Sequence, residues 1–201
     1  MRIGIDIADT VIDVWPTIMD LAKKYNSEHG NNPITTDHWV YLPEEYYGWS
    51  EEDCKSFWDL YREKVTFSSP LVPNVQEVLN YLYKIGVELY YITAKSNDAY
   101  KDLEKNIINL LVSNDLPFDK IILQVLDKGA ECKKESVDLL IDDSFDNCLS
   151  ANENGIESIL VTKPYNVGRV CPEKMYRADS FLDVQKIMQK KLKRDIYERE
   201  I

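Results

Sequence analysis

Short apolar runs that alternate with amphipathic segments are the feature that most constrains the fold of this chain. Each run has the length and composition of a buried strand. The predicted strands are Arg2–Ile7, Val87–Thr93, Lys120–Gln124, Val137–Asp142 and Glu157–Val161. Parallel strands need long crossover connections, and these connections are usually helices. The alternation therefore predicts an α/β fold with a doubly wound parallel sheet.

The segments between the runs predict helices. Helical patterns cover Val14–Glu28, Val75–Ile85 and about 98–112, and a last helix starts near Phe181. Gly86 directly follows the second of these patterns, at a position where glycine commonly ends a helix. The alternation is interrupted from about Gly30 to Pro73, so this segment looks inserted into the α/β pattern.

Composition and charge exclude several classes of protein. Of the 201 residues, 44% are hydrophobic, which is enough to bury a core. The formal net charge of −11 argues against binding to a nucleic acid polymer or an anionic membrane surface, because phosphate contacts need clustered Lys and Arg. No apolar run approaches the roughly 20 residues of a membrane span. The absence of a signal-peptide pattern, and four cysteines without metal-ligand spacing, predict a cytoplasmic protein with reduced thiols.

Polar side chains stand at the ends of several predicted strands. Asp6 follows the first apolar run, Thr93 ends the second, and Asp142 and Asp143 follow the VDLLI run. Lys128 begins the helix that leads into the Asp142 strand. Because ligands of open α/β sheets bind outside the carboxyl ends of the strands, these residues are expected to converge on one site. Two adjacent carboxylates there repel each other unless a cation lies between them, and a lysine and a threonine can bind a phosphoryl group.

The motifs around these residues resemble those of a known superfamily. Asp6 with Thr10, Thr93 in YYITAK, Lys128 in LDKGAECKK, and IDDS at 141–144 look like the four motifs of haloacid dehalogenase (HAD) superfamily phosphatases. The segments DKGAECKKESVDLLIDDSFDN and KPYN are similar to the 5'(3')-deoxyribonucleotidase type C family and its bacterial relatives. The resemblance implies a Rossmann-like core formed by residues 1–13 and 71–201, with a small helical cap of residues 14–70 inserted after the first motif.

The resemblance also implies a reaction and the residues that perform it. Asp6 would be the nucleophile that forms an aspartyl-phosphate. The substrate would be a small phosphomonoester, and the nucleotidase-like motifs favour a nucleoside monophosphate. Mg²⁺ would be held by Asp6, the backbone carbonyl of Ala8, Asp142 and Asp143. The phosphoryl oxygens would be bound by Thr93, Ala94 and Lys128. Two alternatives stay open, namely a phosphatase for sugar or polyol phosphates and a phosphate-ligand binding or regulatory protein without turnover.

Ala8 departs from the pattern of these phosphatases. The residue two positions after the nucleophile is normally an Asp, which protonates the leaving alcohol and then activates water. General acid–base catalysis of this kind contributes about 10²–10⁴-fold. Ala8 therefore predicts intact metal and phosphate sites with impaired turnover of poor leaving groups. Asp9 is one residue out of phase and is expected to point elsewhere. An introduced substitution, a natural branch with different chemistry and a non-catalytic binding protein would each explain Ala8.

The inserted segment is rich in aromatic residues, which either bind a ring-bearing substrate or build the core of a small domain. The candidate substrate-binding residues are His38, Trp39, Tyr46, Tyr47 and Arg62. An aromatic surface also makes dimerisation plausible, so the expected state is a monomer or a homodimer.

Overall fold

The computed structural model describes residues 1–36 and 40–199. Its helices are α1 (Val14–Glu28), α2 (Pro43–Tyr47), α3 (Glu51–Ser68), α4 (Val75–Lys84), α5 (Leu103–Ser113), α6 (Lys128–Lys134), α7 (Phe145–Glu153) and α8 (Phe181–Arg199). Its strands are β1 (Arg2–Ile5), β2 (Glu88–Ile92), β3 (Lys120–Ile122), β4 (Leu139–Asp142), β5 (Glu157–Val161) and β6 (Met175–Ala178). This part of the chain divides into two compact units, Met1–Val11 with Leu71–Ile201, and Ile12–Pro70.

The first unit is built on a parallel sheet. Within the described residues, the strands form one six-stranded sheet with the order β3-β2-β1-β4-β5-β6, and every neighbouring pair is parallel. Helices connect most of the strands, as parallel pairing requires. The predicted Rossmann-like, doubly wound α/β fold is confirmed.

The centre of the sheet is the point where the strand order reverses. Ile5 of β1 pairs with Tyr91 of β2 on one side and with Ile141 of β4 on the other. β1 and β4 therefore lie side by side, and both end at the carboxyl edge of the sheet. Crevices at such switch points are where open α/β sheets bind ligands. Asp6 and Asp142 stand at this edge.

Two glycines allow close packing beside the switch point. A Cβ at Gly4 of β1 would lie 2.9 Å from the Ile92 Cδ1 atom and 3.4 Å from the Cys132 Sγ atom of α6. A Cβ at Gly129 of α6 would overlap the backbone carbonyl of Ser150 in α7. The absence of both side chains lets α6 lie close to the sheet and to α7. This packing fixes the position of Lys128, the first residue of α6.

The structure differs from the sequence-based prediction at several element ends. The helix predicted from about residue 98 begins only at Leu103, because Asp102 has a left-handed φ of 46° that interrupts a helix. The strand predicted to reach Ile7 ends at Ile5, and the strand predicted to reach Gln124 ends at Ile122, just before Gln124 turns with a φ of 60°. Strand β6 was not predicted.

The second unit is helical and is held together by aromatic rings. Tyr25 of α1 and Phe57 of α3 are 1% and 0% exposed, and their rings meet edge to face at 5.7 Å between centroids. The Trp49 ring contacts both, and its Nε1–H donates to the Asn26 side chain. A unit of this size has few aliphatic side chains to bury, so these large aromatic rings form its core.

Among the helices of residues 1–36 and 40–199, none combines the length and the apolar character that crossing a membrane would require.

Candidate functional site

Lys128 lies between two carboxylates at the carboxyl edge of the sheet. Its Nζ atom is 2.5 Å from the Asp6 Oδ1 atom and 2.7 Å from the Asp142 Oδ2 atom. All three residues are at least 93% buried, since Asp6, Lys128 and Asp142 are 7%, 3% and 1% exposed. Burial alone lowers the pKa of the Lys128 ammonium, but the two carboxylates outweigh it and raise that pKa. Lys128 therefore stays charged and neutralises part of the charge on both carboxylates.

The sequence around Lys128 explains its place at the start of α6. Asp127 is the N-cap residue, and its side chain accepts a hydrogen bond from the Ala130 backbone N–H at 3.1 Å. The same carboxylate accepts a bond from the Ser150 hydroxyl of α7 at 2.6 Å. The cap thus determines where α6 begins and ties that point to the neighbouring helix.

Asp142 is held in place by donors on both of its carboxylate oxygens. Oδ2 accepts from Lys128, while Oδ1 accepts from the Ser144 backbone N–H at 2.8 Å. The Asn147 Nδ2 atom lies 3.2 Å from both oxygens. Burial raises the pKa of the Asp142 carboxyl, Lys128 opposes this shift, and the nearby Asp6 adds to it. Asp142 therefore orients Lys128 in addition to contributing charge to the site.

Asp143 is held by two hydroxyl groups from distant parts of the chain. The Thr10 hydroxyl donates to its Oδ1 atom at 2.9 Å, and the Tyr165 phenol donates to its Oδ2 atom. Burial raises the pKa of the Asp143 carboxyl, and the charges of Asp6 and Asp142 raise it further. Like charges are thus concentrated at this point of the site.

The three carboxylates form a candidate metal centre. Within the described ranges, one oxygen each of Asp6, Asp142 and Asp143 lies within 4.8 Å of the others. The Lys128 ammonium group contacts two of these carboxylates, Asp6 and Asp142, so the cluster retains negative charge that a divalent cation would neutralise. Carboxylate oxygens are the ligands that Mg²⁺ and Ca²⁺ prefer. The residues present therefore fit a hard divalent cation.

Replacing Asp143 by asparagine is expected to stabilise the metal-free protein near pH 8. The pKa of the Asp143 carboxyl is raised from 3.8 to about 8 in the folded chain, mainly by burial. Because the folded chain holds this proton more tightly than the unfolded chain, stability falls as the pH rises between these values. The free energy of unfolding of the uncharged variant should therefore exceed that of the wild type near pH 8, by at least about 1 kcal/mol, roughly the free energy of one pKa unit. Urea unfolding in the presence of EDTA measures this difference.

The gain from Asp143→Asn should shrink as the pH is lowered towards about 5. The matched control is Asp146→Asn, a carboxylate three residues away whose side chain is 83% exposed. This control should change stability by no more than about 0.5 kcal/mol at either pH. A loss of stability in Asp143→Asn near pH 8 would contradict the electrostatic account of the site.

The predicted phosphate-binding residues follow β2, next to the end of β1. Thr93 is 2% exposed, and its backbone N–H donates to the Ile122 carbonyl at 3.0 Å. Its hydroxyl accepts a bond from the Lys95 N–H at 3.3 Å. Ala94 is exposed. Since β1 and β2 pair in register up to Ile5 and Tyr91, Asp6 and Thr93 leave the sheet at neighbouring points.

Ala8 and Asp9 lie in the segment that follows β1, and a turn begins at Asp9. Ala8 is partly exposed, whereas Asp9 is 2% exposed and has a left-handed φ of 56°. Burial is the main reason for the raised pKa of Asp143, and the Asp9 carboxylate is among the charges that add to it. The Asp9 carboxylate is therefore buried and lies near the acidic cluster, which consists of Asp6, Asp142 and Asp143.

The predicted substrate-binding residues belong to the second unit. His38 and Trp39 lie outside the described residues. Tyr47 is 8% exposed and stacks on Trp49 at 5.5 Å, so its ring packs within the aromatic core. Tyr46 meets Tyr47 edge to face and is partly exposed, and Arg62 on α3 is also partly exposed.

Three further residues touch the acidic cluster and were not named from the sequence. Asn147 contacts the Asp142 carboxylate, Tyr165 contacts the Asp143 carboxylate, and Asn166 contacts the Asp143 backbone. Tyr165 and Asn166 belong to the KPYN segment. Its resemblance to the nucleotidase family indicates that the segment is functionally relevant, but it does not predict what these two side chains contact.

Comparisons with known proteins agree with the fold and the motifs. No protein-family model matches the chain. A curated nucleotidase of Clostridium acetobutylicum is 24% identical over 167 residues, which are 83% of this chain and 82% of that protein. A haloacid dehalogenase-like hydrolase from Streptococcus pneumoniae has a similar structure, with a TM-score of 0.62, 18% identity and coverage of 93% of this chain and 97% of the other. A HAD-superfamily hydrolase from Geobacter sulfurreducens aligns with a TM-score of 0.61 and 14% identity over 92% and 95% of the two chains. The predicted resemblance to HAD-superfamily proteins with nucleotidase relatives is confirmed.

Proposed function

We propose, from a fold of the haloacid dehalogenase type and a nucleotidase among the relatives, that this chain is a phosphoric monoester hydrolase. The observation that carries the proposal is the Lys128 ammonium group, which bridges Asp6 and Asp142 at the switch point of the sheet, with Asp143 beside them. This arrangement places a buried carboxylate beside a compensating positive charge, a position that suits a nucleophile.

The reaction assigned to Asp6 is a displacement at phosphorus. A carboxylate oxygen of Asp6 attacks the phosphoryl group, the bond from phosphorus to the ester oxygen breaks, and that oxygen leaves with the electron pair. Water then attacks the aspartyl-phosphate, which releases phosphate and restores the carboxylate. Lys128 pairs with Asp6 and offsets the charge of the phosphoryl oxygens, and Thr93 and the Ala94 backbone N–H bind those oxygens. Positioning and charge compensation of this kind dominate phosphoryl transfer.

The proposed cofactor is Mg²⁺, held by Asp6, Asp143 and the backbone carbonyl of Ala8, with Asp142 in support. When bound, such an ion neutralises charge on the phosphoryl group and orients it for attack. Ala8 can contribute its carbonyl whatever its side chain, but its methyl group cannot move a proton. A leaving alkoxide must therefore take its proton from water, so esters with good leaving groups should react best.

The proposed substrate is a nucleoside monophosphate, in line with the nucleotidase relative. The helical unit of residues 12–70 is assigned the role of a small cap that selects the substrate. Its partly exposed Tyr46 and Arg62 are the candidate contacts among the described residues.

The cytoplasmic location and the monomeric or homodimeric state also remain predictions. The free thiols of Cys54, Cys132, Cys148 and Cys171 are in keeping with that location.

A substrate panel tests the proposed function. The chain should release p-nitrophenol from p-nitrophenyl phosphate in Mg²⁺, and EDTA should abolish this release. Among natural esters, nucleoside monophosphates should be hydrolysed faster than sugar or polyol phosphates. Release that persists in EDTA would contradict the metal site, and faster hydrolysis of sugar phosphates would contradict the nucleotide assignment.

A second candidate function is favoured by Ala8 alone. Without an acid–base residue, the chain could bind Mg²⁺ and a phosphorylated ligand without turning it over. A binding protein of this kind should bind Mg²⁺ and a phosphorylated ligand in calorimetric titrations. It should release no product from any ester in the panel, including p-nitrophenyl phosphate.

A further inference from the structure

Asn166 makes a buried set of hydrogen bonds at the back of the acidic cluster. It is 2% exposed, and its Nδ2 group donates to the backbone carbonyls of Asp143 and Val161, both at 2.8 Å. Its Oδ1 atom accepts from the Lys163 backbone N–H and from the Arg177 guanidinium, both at 3.1 Å. The amide therefore uses both donor hydrogens and both acceptor positions. It joins the end of β5 to the residue that follows β4.

Arg177 of β6 holds Asn166 from the edge of the sheet. Beyond its bond to the Asn166 side chain, its Nη2 group donates to the backbone carbonyls of Asn166 at 3.1 Å and Arg169 at 2.7 Å. The planar fork of arginine suits such simultaneous contacts. Arg177 thereby holds the loop from Lys163 to Arg169 through the Asn166 side chain and through two main-chain carbonyls.

The same loop also contacts the Asp143 carboxylate. Tyr165 precedes Asn166 and donates its phenolic hydrogen to the Asp143 Oδ2 atom. The backbone carbonyl and the carboxylate of Asp143 are thus contacted by successive residues of the 163–169 loop. Such contacts limit the directions in which the carboxylate can point, and side chains that orient metal ligands commonly determine metal affinity.

We propose that Asn166, held by Arg177, is a positioning residue that orients Asp143 for binding a divalent cation. The inference rests on the proposed function, in which Asp143 is a metal ligand. Asn166 does not itself contact the cation or the substrate. Without its amide, the Asp143 carbonyl loses a buried donor, and the turn after β4 loses one of its connections to β5 and β6.

Calorimetric titration of the full chain with Mg²⁺ and with Mn²⁺, without substrate, tests this role. Asn166→Ala should weaken binding by about 10- to 100-fold, the range seen when partners of metal ligands are removed. The matched control is Asn152→Ala. Asn152 bonds to Ile156, Ser158 and Lys174 at the opposite end of β5 and β6. Both variants should lose stability, but Asn152→Ala should bind the cations as the wild type does.

A second variant keeps the test decisive if Asn166→Ala fails to fold. Arg177→Lys retains the positive charge but loses the planar fork, and it should weaken cation binding several-fold. Cation dissociation constants within about twofold of the wild type, in whichever of these variants is folded, would overturn the positioning role. If the wild type itself binds neither cation, the proposed metal site fails instead, so the two failures are distinguishable.

Discussion

Lys128→Met is expected to lower the free energy of unfolding of the metal-free protein by about 3–5 kcal/mol near pH 8. The variant leaves Asp6 and Asp142, which are 7% and 1% exposed, without the ammonium group that lies within 2.7 Å of both. Removing one partner of a buried ion pair is costly, because the remaining charge is neither solvated nor paired. Methionine nearly preserves the volume of the lysine stem, so lost packing contributes little. Urea unfolding monitored by circular dichroism measures the loss.

Two controls separate charge from packing at this position. Lys134→Met removes a lysine from the other end of α6, where the side chain is 69% exposed, and should cost no more than about 0.5 kcal/mol. Adding Asp142→Asn to Lys128→Met removes one of the stranded charges and should recover part of the loss. The loss should also diminish near pH 5, because burial has raised the pKa of the Asp142 carboxyl and protonation removes its charge. A loss below about 1 kcal/mol at pH 8 would contradict the assigned role of Lys128.

Ala8→Asp is expected to raise kcat/KM for alkyl phosphates by about 10²–10⁴-fold, the usual contribution of a general acid and base. Residue 8 is partly exposed and lies two positions after Asp6, in the segment that follows β1. A carboxyl group there can protonate the departing alkoxide. The gain should be much smaller for p-nitrophenyl phosphate, whose leaving group needs no proton. Initial rates of phosphate release from both classes of ester measure this contrast.

Ala8→Asn is the matched control, because its side chain has the shape of aspartate but has no acidic proton to donate. It should show none of the gain on alkyl phosphates. Adding Asp6→Asn to Ala8→Asp should abolish the acquired activity, since the nucleophile is then absent. An equal gain in Ala8→Asn, or activity that survives Asp6→Asn, would rule out the assigned acid–base position.

Much of the sheet could be predicted because its strands are continuous apolar runs. Most residues of β1, β2, β4 and β5 are buried, and buried parallel strands carry few polar residues. β6 was missed because its sequence, MYRA, carries Arg177 in its centre. The structure explains this residue, since β6 is an edge strand and the partly exposed Arg177 donates to the 163–169 loop.

Some residues of the candidate site could likewise be predicted from the sequence, whereas others could not. Asp6, Thr93, Asp142 and Asp143 could be proposed together because each lies at or just after the end of a strand, and parallel strands end at one edge. The contribution of Tyr165 and Asn166 could not be predicted, because they lie 22 and 23 residues after Asp143 in a loop without periodicity. Only the folded arrangement of β4, β5 and β6 brings that loop to Asp143.

Transfer of a phosphoryl group to Asp6 is tested most directly by intact-protein mass spectrometry after acid quenching. Incubation with p-nitrophenyl phosphate and Mg²⁺ should add the mass of one phosphoryl group to the wild-type chain and place it on the peptide containing Asp6. Because Ala8 cannot activate water, this adduct should persist in the wild type and be depleted in Ala8→Asp. Asp6→Asn should carry no adduct. Release of p-nitrophenol by a wild-type chain that never carries a phosphoryl group on Asp6 would contradict the account.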